Sequence, residues 1–188
     1  MVRHGETDWN RENRFQGHAD PPLNARGRRQ ARELAGTLET ETFDRVYSSP
    51  LLRASETAAI LVAERRIEVR IDAALREVDV GSWSGLTRAD VEERFPAGYR
   101  RWLAYGHGWD HGETYEELGG RVVSWLLELG AAHRDANVLA VTHGGPIRSA
   151  LAASAKVGFD EARRSIDVVG NCAVVRFAVT AGTLERTG

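Results

Sequence analysis

Short apolar segments alternate with longer amphipathic segments along this chain. The clearest apolar segment is NVLAVT (137–142), which is almost wholly hydrophobic and therefore predicts a strand that is buried on both faces. The next segment, GGPIRSALAASA (144–155), is predicted to be a helix. Strands that alternate with helices in this way predict an α/β domain with a mostly parallel sheet.

The remaining segments fit the same plan. The sequence predicts helices over 25–39 (capped by Asn24), 51–66 (after Pro50), 86–96 (ending at Pro96), 115–134 (interrupted at Gly119 and Gly120) and 159–166. It predicts strands over 44–49 and 67–72, a stub strand at Met1–Val2, and a closing hairpin formed by 172–180 and 183–187.

Composition limits the kind of protein this can be. The chain has 188 residues, of which 42% are hydrophobic and 28% are charged, and this balance is typical of one globular domain over residues 1–188. A net charge of -2 argues against a nucleic-acid partner. No apolar run is long enough to cross a bilayer, and no signal peptide is evident. The single cysteine, Cys172, excludes an intrachain disulfide, and we expect a cytoplasmic protein.

Charged and histidine side chains follow the ends of three predicted strands. Arg3 and His4 follow the stub strand, Arg53 falls in the first turn of the second helix, and His143 follows strand 137–142. Parallel strands bring their carboxyl ends to one edge of the sheet, where α/β folds bind ligands. Two arginines, two histidines and a helix N-terminus would form a pocket for an oxyanion such as phosphate.

Taken singly, each of these residues has a more ordinary explanation. A lone histidine such as His4 is more often a hydrogen-bonded structural residue than a nucleophile. Arg53 would suit a solvated helix face, and His143 with the two glycines after it could form a plain tight turn. Their joint placement at the ends of separate strands favours a shared site, because chance does not coordinate such positions.

Four motifs resemble those of the histidine phosphatase superfamily, also called the phosphoglycerate mutase-like family. They run in family order from Arg3 to Gly145 and read RHGETDWNRENRFQGHADPPLNARGRRQA, VYSSPLLRASETA, LREVDVGSWSG and VTHGG. The first motif is highly specific. The resemblance implies a three-layer α/β fold, in which a mostly parallel central sheet has helices on both faces.

The resemblance also implies a role for each candidate residue. His4 would be the nucleophile that accepts the phosphoryl group, and Glu77 would be the general acid and base. Arg3 and His143 would complete the catalytic set. The phosphoryl group would be bound by Arg3, Asn10, Gln16, Arg53, His143 and Gly144. The resemblance implies no metal and no cofactor.

The chemistry of phosphoryl transfer agrees with these roles. An imidazole attacks phosphorus only when it is neutral and its lone pair is aimed in line. Its other ring nitrogen must then donate its proton, and a backbone carbonyl near Gly5 could accept it, since a glycine leaves room for that approach. An alkoxide is a poor leaving group, so Glu77 would protonate it and later take a proton from water.

The position of His4 so close to Met1 is explained if the first strand is central and its carboxyl end builds the pocket. Members of the superfamily usually have several apolar residues before the Arg-His-Gly motif, whereas only Met1 and Val2 precede it here. Either residues upstream of Met1 are missing from this sequence, or the first strand is shorter than is usual in the superfamily.

The superfamily contains both phosphatases and mutases. A mutase must exclude water while its phosphohistidine waits for an organic acceptor, and the cofactor-dependent glycolytic mutases have a long insert after the catalytic glutamate. Here the stretch from Val78 to Glu113 is compact. This favours a metal-independent phosphomonoesterase of the histidine acid phosphatase type, acting on small phosphorylated metabolites. The alternative is phosphoglycerate mutase-type phosphoryl transfer. A non-catalytic phospholigand-binding module is disfavoured, because His4 and Glu77 are both present.

Segment 82–115 is rich in aromatic side chains and is predicted to form a lid that selects the substrate. Arg100 and Arg101 within it could bind a carboxylate or a second phosphate. The favoured interpretation is that both arginines lie on a solvated face of a helix. His107 and His111 have the spacing of a metal pair, but the glycines beside them disfavour a helix, so we predict no metal site there.

Two further expectations concern the surface. His18 lies in a loop beside Asp20, where we expect it to be solvated rather than in contact with a substrate. The closing hairpin presents an edge strand that could pair two subunits into a homodimer.

Overall fold

The computed structural model describes residues 1–167, 169–180 and 182–187. The strands are β1 (Val2–Arg3), β2 (Arg45–Ser48), β3 (Val69–Ile71), β4 (Val138–Thr142), β5 (Phe177–Thr180) and β6 (Thr183–Arg186). The helices are α1 (Asp8–Arg11), α2 (Ala25–Thr37), α3 (Leu52–Leu61), α4 (Arg88–Arg94), α5 (Pro96–Leu103), α6 (Tyr115–Ala132), α7 (Gly144–Ala155) and α8 (Phe159–Ser165). Short 3₁₀ turns cover Ala73–Leu75 and Gly81–Trp83.

Four strands form the main sheet of the described residues, in the order β1-β4-β2-β3 and all parallel. The expectation of a central first strand is wrong, because β1 lies at the edge of this parallel order. Only Val2 and Arg3 pair with β4, and the outer side of Val2 forms a single antiparallel bridge with Val174. The apolar strand β4 instead lies inside the sheet and pairs on both of its sides.

Helices cover both faces of this sheet. Val46 and Leu139 point to one face, where they pack with the buried residues of α2 and α3. Tyr47 and Ala140, their neighbours along the strands, point to the other face and pack with α6 and α7. Because side chains alternate across a strand, each central strand contributes to two cores. The predicted three-layer α/β fold is confirmed.

Two helix predictions between residues 86 and 134 are wrong in detail. Helix α6 runs without a break through Gly119 and Gly120, since a capping box at Thr114 and a buried apolar stripe outweigh the low helix propensity of two glycines. Pro96 does more than end a helix. It occupies the first turn of α5, where its missing N–H costs nothing.

The closing hairpin forms between β5 and β6, with Phe177 opposite Arg186. The sequence predicts that its first strand starts at residue 172, whereas the strand begins at Phe177. The residues before it bond to Met1 and Arg3 instead. The Arg3 N–H donates to the Ala173 carbonyl at 3.1 Å, and the Val175 N–H donates to the Met1 carbonyl at 2.9 Å. The hairpin is therefore a separate two-stranded sheet. None of the helices described is long and apolar enough to span a membrane.

Candidate active site

The carboxyl ends of β1, β4 and β2 meet at one edge of the sheet. The His4 N–H donates to the Thr142 carbonyl at 2.9 Å, and the Ser49 N–H donates to that of Val141 at 3.0 Å. These bonds hold the residues that follow the three strands side by side. The rings of His4 and His143 lie 5.1 Å apart, and both side chains are buried. The structure thus brings together the two histidines that the sequence singled out.

The hydrogen bonds of His4 fix which ring nitrogen is free. Its Nδ1 lies 2.7 Å from the Gly5 carbonyl oxygen. A carbonyl can only accept a hydrogen bond, so Nδ1 carries the proton and Nε2 carries the lone pair. Asn171 holds the backbone of the same residue, because its Nδ2 donates to the His4 carbonyl at 3.0 Å. The ring therefore has the tautomer that a nucleophile requires.

Gly5 is required for a different reason from the one expected. A Cβ at this position would lie 2.6 Å from the carbonyl oxygen of Gly27, at the start of α2. A Cβ on Gly27 would in turn lie 2.1 Å from the Glu6 carbonyl oxygen. The two glycines let the chain after His4 pack directly on the backbone of α2, which steadies the loop that carries the nucleophile candidate.

Two arginines, one buried and one partly buried, flank the histidines. Arg53 is fully buried, and its guanidinium donates to the carbonyls of Ala19 and Gly17 at 2.7 and 2.9 Å. Arg3 donates to the Val169 carbonyl at 2.5 Å. The Nε of each arginine is buried and has no partner among the described residues. These two donors could be satisfied by an oxyanion.

The arginines and burial together set the charge state of the site. Burial, followed by the nearby cations Arg53 and Arg3, holds the pKa of His4 well below its ordinary value of 6.5. His143 has a lowered pKa for the same reasons. Burial also lowers the pKa of Arg53 to about 10, while Glu77 opposes that shift. At neutral pH the site therefore holds two neutral imidazoles and two guanidinium cations.

Glu77 lies at the N-terminus of α7, near Arg3. Its Oε1 accepts hydrogen bonds from the backbone N–H groups of Val78 at 2.9 Å and Gly145 at 3.1 Å. A Cβ placed on Gly144 would lie 3.9 Å from both Arg3 Nε and Glu77 Oε2, so the carboxylate and the guanidinium lie against the same glycine. The free helix N–H groups expected here are thus partly used, because Gly145 donates to Glu77.

The backbone of Glu77 is also held in place. Its carbonyl accepts from His18 Nε2 at 2.9 Å and from an Arg121 Nη at 3.0 Å. The expectation that His18 is only solvated is therefore wrong, since it fixes the loop that carries Glu77. Arg121 belongs to α6, so its bond to Glu77 ties this loop to that helix. The Glu113 carboxylate holds the Arg121 guanidinium through two bonds, of 2.6 and 2.8 Å.

Asn10 and Gln16 lie together beside the loop after His4. The Thr7 N–H donates to Asn10 Oδ1 at 3.1 Å, and the Thr7 hydroxyl contacts both Asn10 Oδ1 and Gln16 Oε1 at 3.1 Å. Because a backbone N–H can only donate, the bonded atom of Asn10 must be its oxygen. This contact leaves the Asn10 amide group as a donor for a ligand.

A family model described as histidine phosphatase superfamily (branch 1) matches residues 1–186. The chain belongs to the histidine phosphatase superfamily. This membership agrees with the four motifs of the sequence and with the parallel sheet that carries them.

Individual relatives of this histidine phosphatase are similar over most of their length. Phosphoserine phosphatase 1 of Hydrogenobacter thermophilus is 37% identical over 79% of this chain and 72% of the relative. Phosphoglycerate mutase-like protein 4 of Arabidopsis thaliana is 40% identical over 79% of this chain and 67% of the relative. The structure of Bacillus stearothermophilus YhfR matches with a TM-score of 0.92 and 30% identity, over 98% of this chain and 92% of that one.

Segment 82–115 of this histidine phosphatase contains an aromatic cluster. Trp83 is fully buried and makes edge contacts with Phe15, Trp102 and Trp109. Arg100 and Arg101 are exposed on α5, and Arg101 donates to the Gly108 carbonyl at 3.2 Å. Residues 106–111 form no helix, as expected from their glycines. Within the described residues, no group of three or more His, Cys, Asp or Glu side chains could hold a metal ion.

Sequence reasoning missed several residues that support the site. Ser49 Oγ lies 2.8 Å from His143 Nε2, and Thr57 Oγ1 accepts from the Gly5 N–H at 3.0 Å. Both belong to the VYSSPLLRASETA motif, which could have indicated them. Asn171 and Arg121 have no local sequence signal, because each acts across a large separation along the chain.

Proposed function

We propose that this histidine phosphatase is a phosphomonoesterase of the histidine acid phosphatase type, which hydrolyses small phosphorylated metabolites through a phosphohistidine on His4. The observation that carries the proposal is the buried His4 ring. Its proton is fixed on Nδ1 by the Gly5 carbonyl, and two guanidinium cations lie beside it. A neutral imidazole among cations is suited to attack a phosphoryl dianion.

In the first step, the His4 Nε2 lone pair attacks phosphorus and the bond to the ester oxygen breaks. Glu77 gives its proton to the departing oxygen, so the leaving group departs as an alcohol. Oε2 is the oxygen suited to carry that proton, since Oε1 has the shorter contacts with backbone N–H groups. Arg3, Arg53, His143, Asn10, Gln16 and the Gly144 backbone would bind the phosphoryl oxygens.

In the second step, Glu77 acts as a base and takes a proton from water. The water oxygen bonds to phosphorus, the bond from phosphorus to His4 Nε2 breaks, and inorganic phosphate leaves. This cycle requires no metal and no cofactor. The arginines stabilise charge on the equatorial oxygens, and one well-placed donor of this kind contributes about 3 kcal/mol.

The proposal also covers the domain organisation of the chain, its ligand and its assembly. Residues 1–188 would form one domain in which segment 82–115 is the lid that selects the substrate. The partner would be a small phosphorylated metabolite rather than a nucleic acid. Two copies of the chain would pair through the edge strand of the closing hairpin and form a homodimer.

A panel of phosphomonoesters, assayed in the presence of a metal chelator, tests the activity. We expect release of inorganic phosphate from several small esters. Product analysis with 3-phosphoglycerate, with and without a bisphosphorylated primer, separates hydrolysis from the mutase alternative. Primer-dependent isomerisation without phosphate release would identify a mutase, and phosphate binding without turnover would identify a binding module.

The pH profile of kcat/KM follows from the lowered pKa of His4. The nucleophile must be neutral, and its pKa in the free protein lies well below 6.5. Protonation of His4 should therefore not reduce kcat/KM as the pH falls from 8 to 6.5, and the loss should begin only below that range. The measurement uses an aryl phosphate, with rates corrected for the substrate's own ionisation. An acid limb of the corrected profile centred at or above 6.5 would contradict the assigned charge state.

A further inference from the structure

Ser49 is a fully buried serine that directly follows β2, beside the end of β4. Its N–H donates to the Val141 carbonyl at 3.0 Å, and its own carbonyl accepts from the Ser48 hydroxyl at 3.0 Å. The backbone of Ser49 is therefore held on both sides. Its Oγ lies 2.8 Å from Nε2 of His143, the residue that follows β4.

The hydrogen bonds of Ser49 determine which atom donates in this contact. Its Oγ already accepts from the Leu51 N–H at 3.3 Å. The hydroxyl has one proton to donate, and His143 Nε2 is the acceptor that it reaches in the described part of the chain. Because buried polar groups are normally satisfied, the hydroxyl donates to Nε2. Nε2 of His143 therefore carries the lone pair.

The proton of the His143 ring must then lie on Nδ1. Burial, followed by the cation Arg53, holds the pKa of His143 well below 6.5, so the ring is neutral at neutral pH and has one N–H. The hydrogen bond at one ring nitrogen decides which nitrogen is protonated. Nδ1 is buried and has no partner among the described residues. The contact with Ser49 thus leaves His143 with one N–H donor that these residues do not use.

This N–H is one of three unused donors around His4. The other two are the Nε atoms of Arg3 and Arg53, which are also buried without a partner in the described ranges. The His143 ring lies 5.1 Å from that of His4, and both arginines lower the pKa of His4 by their charge. A buried donor without a partner is costly, and an oxyanion can satisfy several donors at once. A phosphoryl group at His4 would supply the missing acceptors.

The opposite tautomer would make His143 unsuitable for this site. With the proton on Nε2, Nδ1 would present a lone pair to the phosphoryl oxygens, which are themselves acceptors. A doubly protonated ring would restore a donor on Nδ1, but burial and the charges of Arg53 and Arg3 oppose that state. Only the tautomer with the proton on Nδ1 gives a neutral ring that can donate to the oxyanion.

We propose that Ser49 is a positioning residue, which fixes the His143 proton on Nδ1 so that the neutral imidazole donates to the transferring phosphoryl group. The inference rests on the proposed function and adds to it the residue that controls one of the phosphoryl donors. Ser49 itself acts through His143 and needs no contact with the substrate.

Nuclear magnetic resonance of the ring nitrogens tests the tautomer directly. The protein is labelled with ¹⁵N in its six histidines, and a long-range ¹H–¹⁵N spectrum distinguishes a nitrogen that carries a proton from one that carries a lone pair. His143→Gln assigns the signals of His143. We expect a protonated Nδ1 in the original chain. In Ser49→Ala the proton should move partly or wholly to Nε2, whereas Ser49→Thr keeps the hydroxyl and should keep the proton on Nδ1.

Kinetics with an aryl phosphate at neutral pH measure the consequence of that change. Loss of one oxyanion donor lowers kcat by about 10²- to 10³-fold, and the His143 ring remains in Ser49→Ala, so we expect a fall of about 10- to 100-fold. Ser49→Thr should recover most of kcat. The matched control is Ser149→Ala, which removes another buried serine hydroxyl and should change neither kcat nor the tautomer of His143.

Two results of these experiments would overturn the proposal. The first is a His143 proton that lies on Nε2 in the original chain or stays on Nδ1 in Ser49→Ala. The second is a shifted tautomer with an unchanged kcat. If the original chain hydrolyses no phosphoester, the proposed function fails, and calorimetric titration with inorganic phosphate decides the role of Ser49. Binding that weakens by about tenfold in Ser49→Ala, together with the shifted tautomer, supports that role, and unchanged binding overturns it.

Discussion

His4→Ala is expected to abolish phosphate release and to lower kcat by about 10⁴-fold or more, as loss of a covalent nucleophile does in other enzymes. The variant has no group that could replace the lone pair on Nε2. Binding of inorganic phosphate should survive in part, because Arg3, Arg53 and His143 remain. Steady-state kinetics with an aryl phosphate and phosphate titration by calorimetry measure the two effects.

The control for this variant is His133→Ala, which removes a histidine from the C-terminal end of α6. It should keep normal kcat and KM values. Thermal unfolding of His4→Ala must be compared with that of the original chain, since removing a buried side chain leaves a cavity. A folded His4→Ala protein that keeps more than a tenth of the original kcat would exclude His4 as the nucleophile.

Glu77→Gln should separate substrates according to their leaving groups. We expect kcat for alkyl phosphates to fall by about 10²- to 10⁴-fold, the usual contribution of a general acid. An activated aryl phosphate needs little protonation of its leaving oxygen, so its first step should slow by less than about tenfold. Glutamine keeps an acceptor for the N–H groups of Val78 and Gly145, so the local geometry should persist.

The measurement is single-turnover kinetics with both substrate types, which isolates the step in which the leaving group departs. Glu116→Gln, at an exposed position on α6, is the control and should change neither rate. Equal losses for alkyl and aryl phosphates would remove Glu77 from the acid role.

The parts of the site that follow strand ends could be predicted from the sequence. Arg3 is the last residue of β1, and His4 and His143 directly follow β1 and β4, so parallel pairing alone brings these positions to one edge of the sheet. Arg53 was also predictable, because it lies in the first turn of the helix after β2. In each case local spacing and the direction of the strands determine where the side chain lies.

Features that depend on contacts between distant segments could not be predicted. The edge position of β1 depends on which strands pair on both sides of β4, and no local pattern encodes that order. Asn171 reaches the His4 carbonyl from the other end of the chain.

The reason for Gly5 could not be read from the sequence either. The residue was explained by the space that His4 needs, whereas its Cβ is excluded by the backbone of Gly27. The close approach of two backbones requires small residues on both segments, and only the folded chain shows which segments meet.

The most direct test is to find where phosphorus is attached during turnover. A ³²P-labelled phosphoester is mixed with the protein, the reaction is quenched within a single turnover under alkaline conditions that preserve phosphohistidine, and the modified peptide is mapped. The proposed mechanism predicts label on His4 and none in His4→Ala. Full activity with no label at His4, or with label on a different residue, would contradict it.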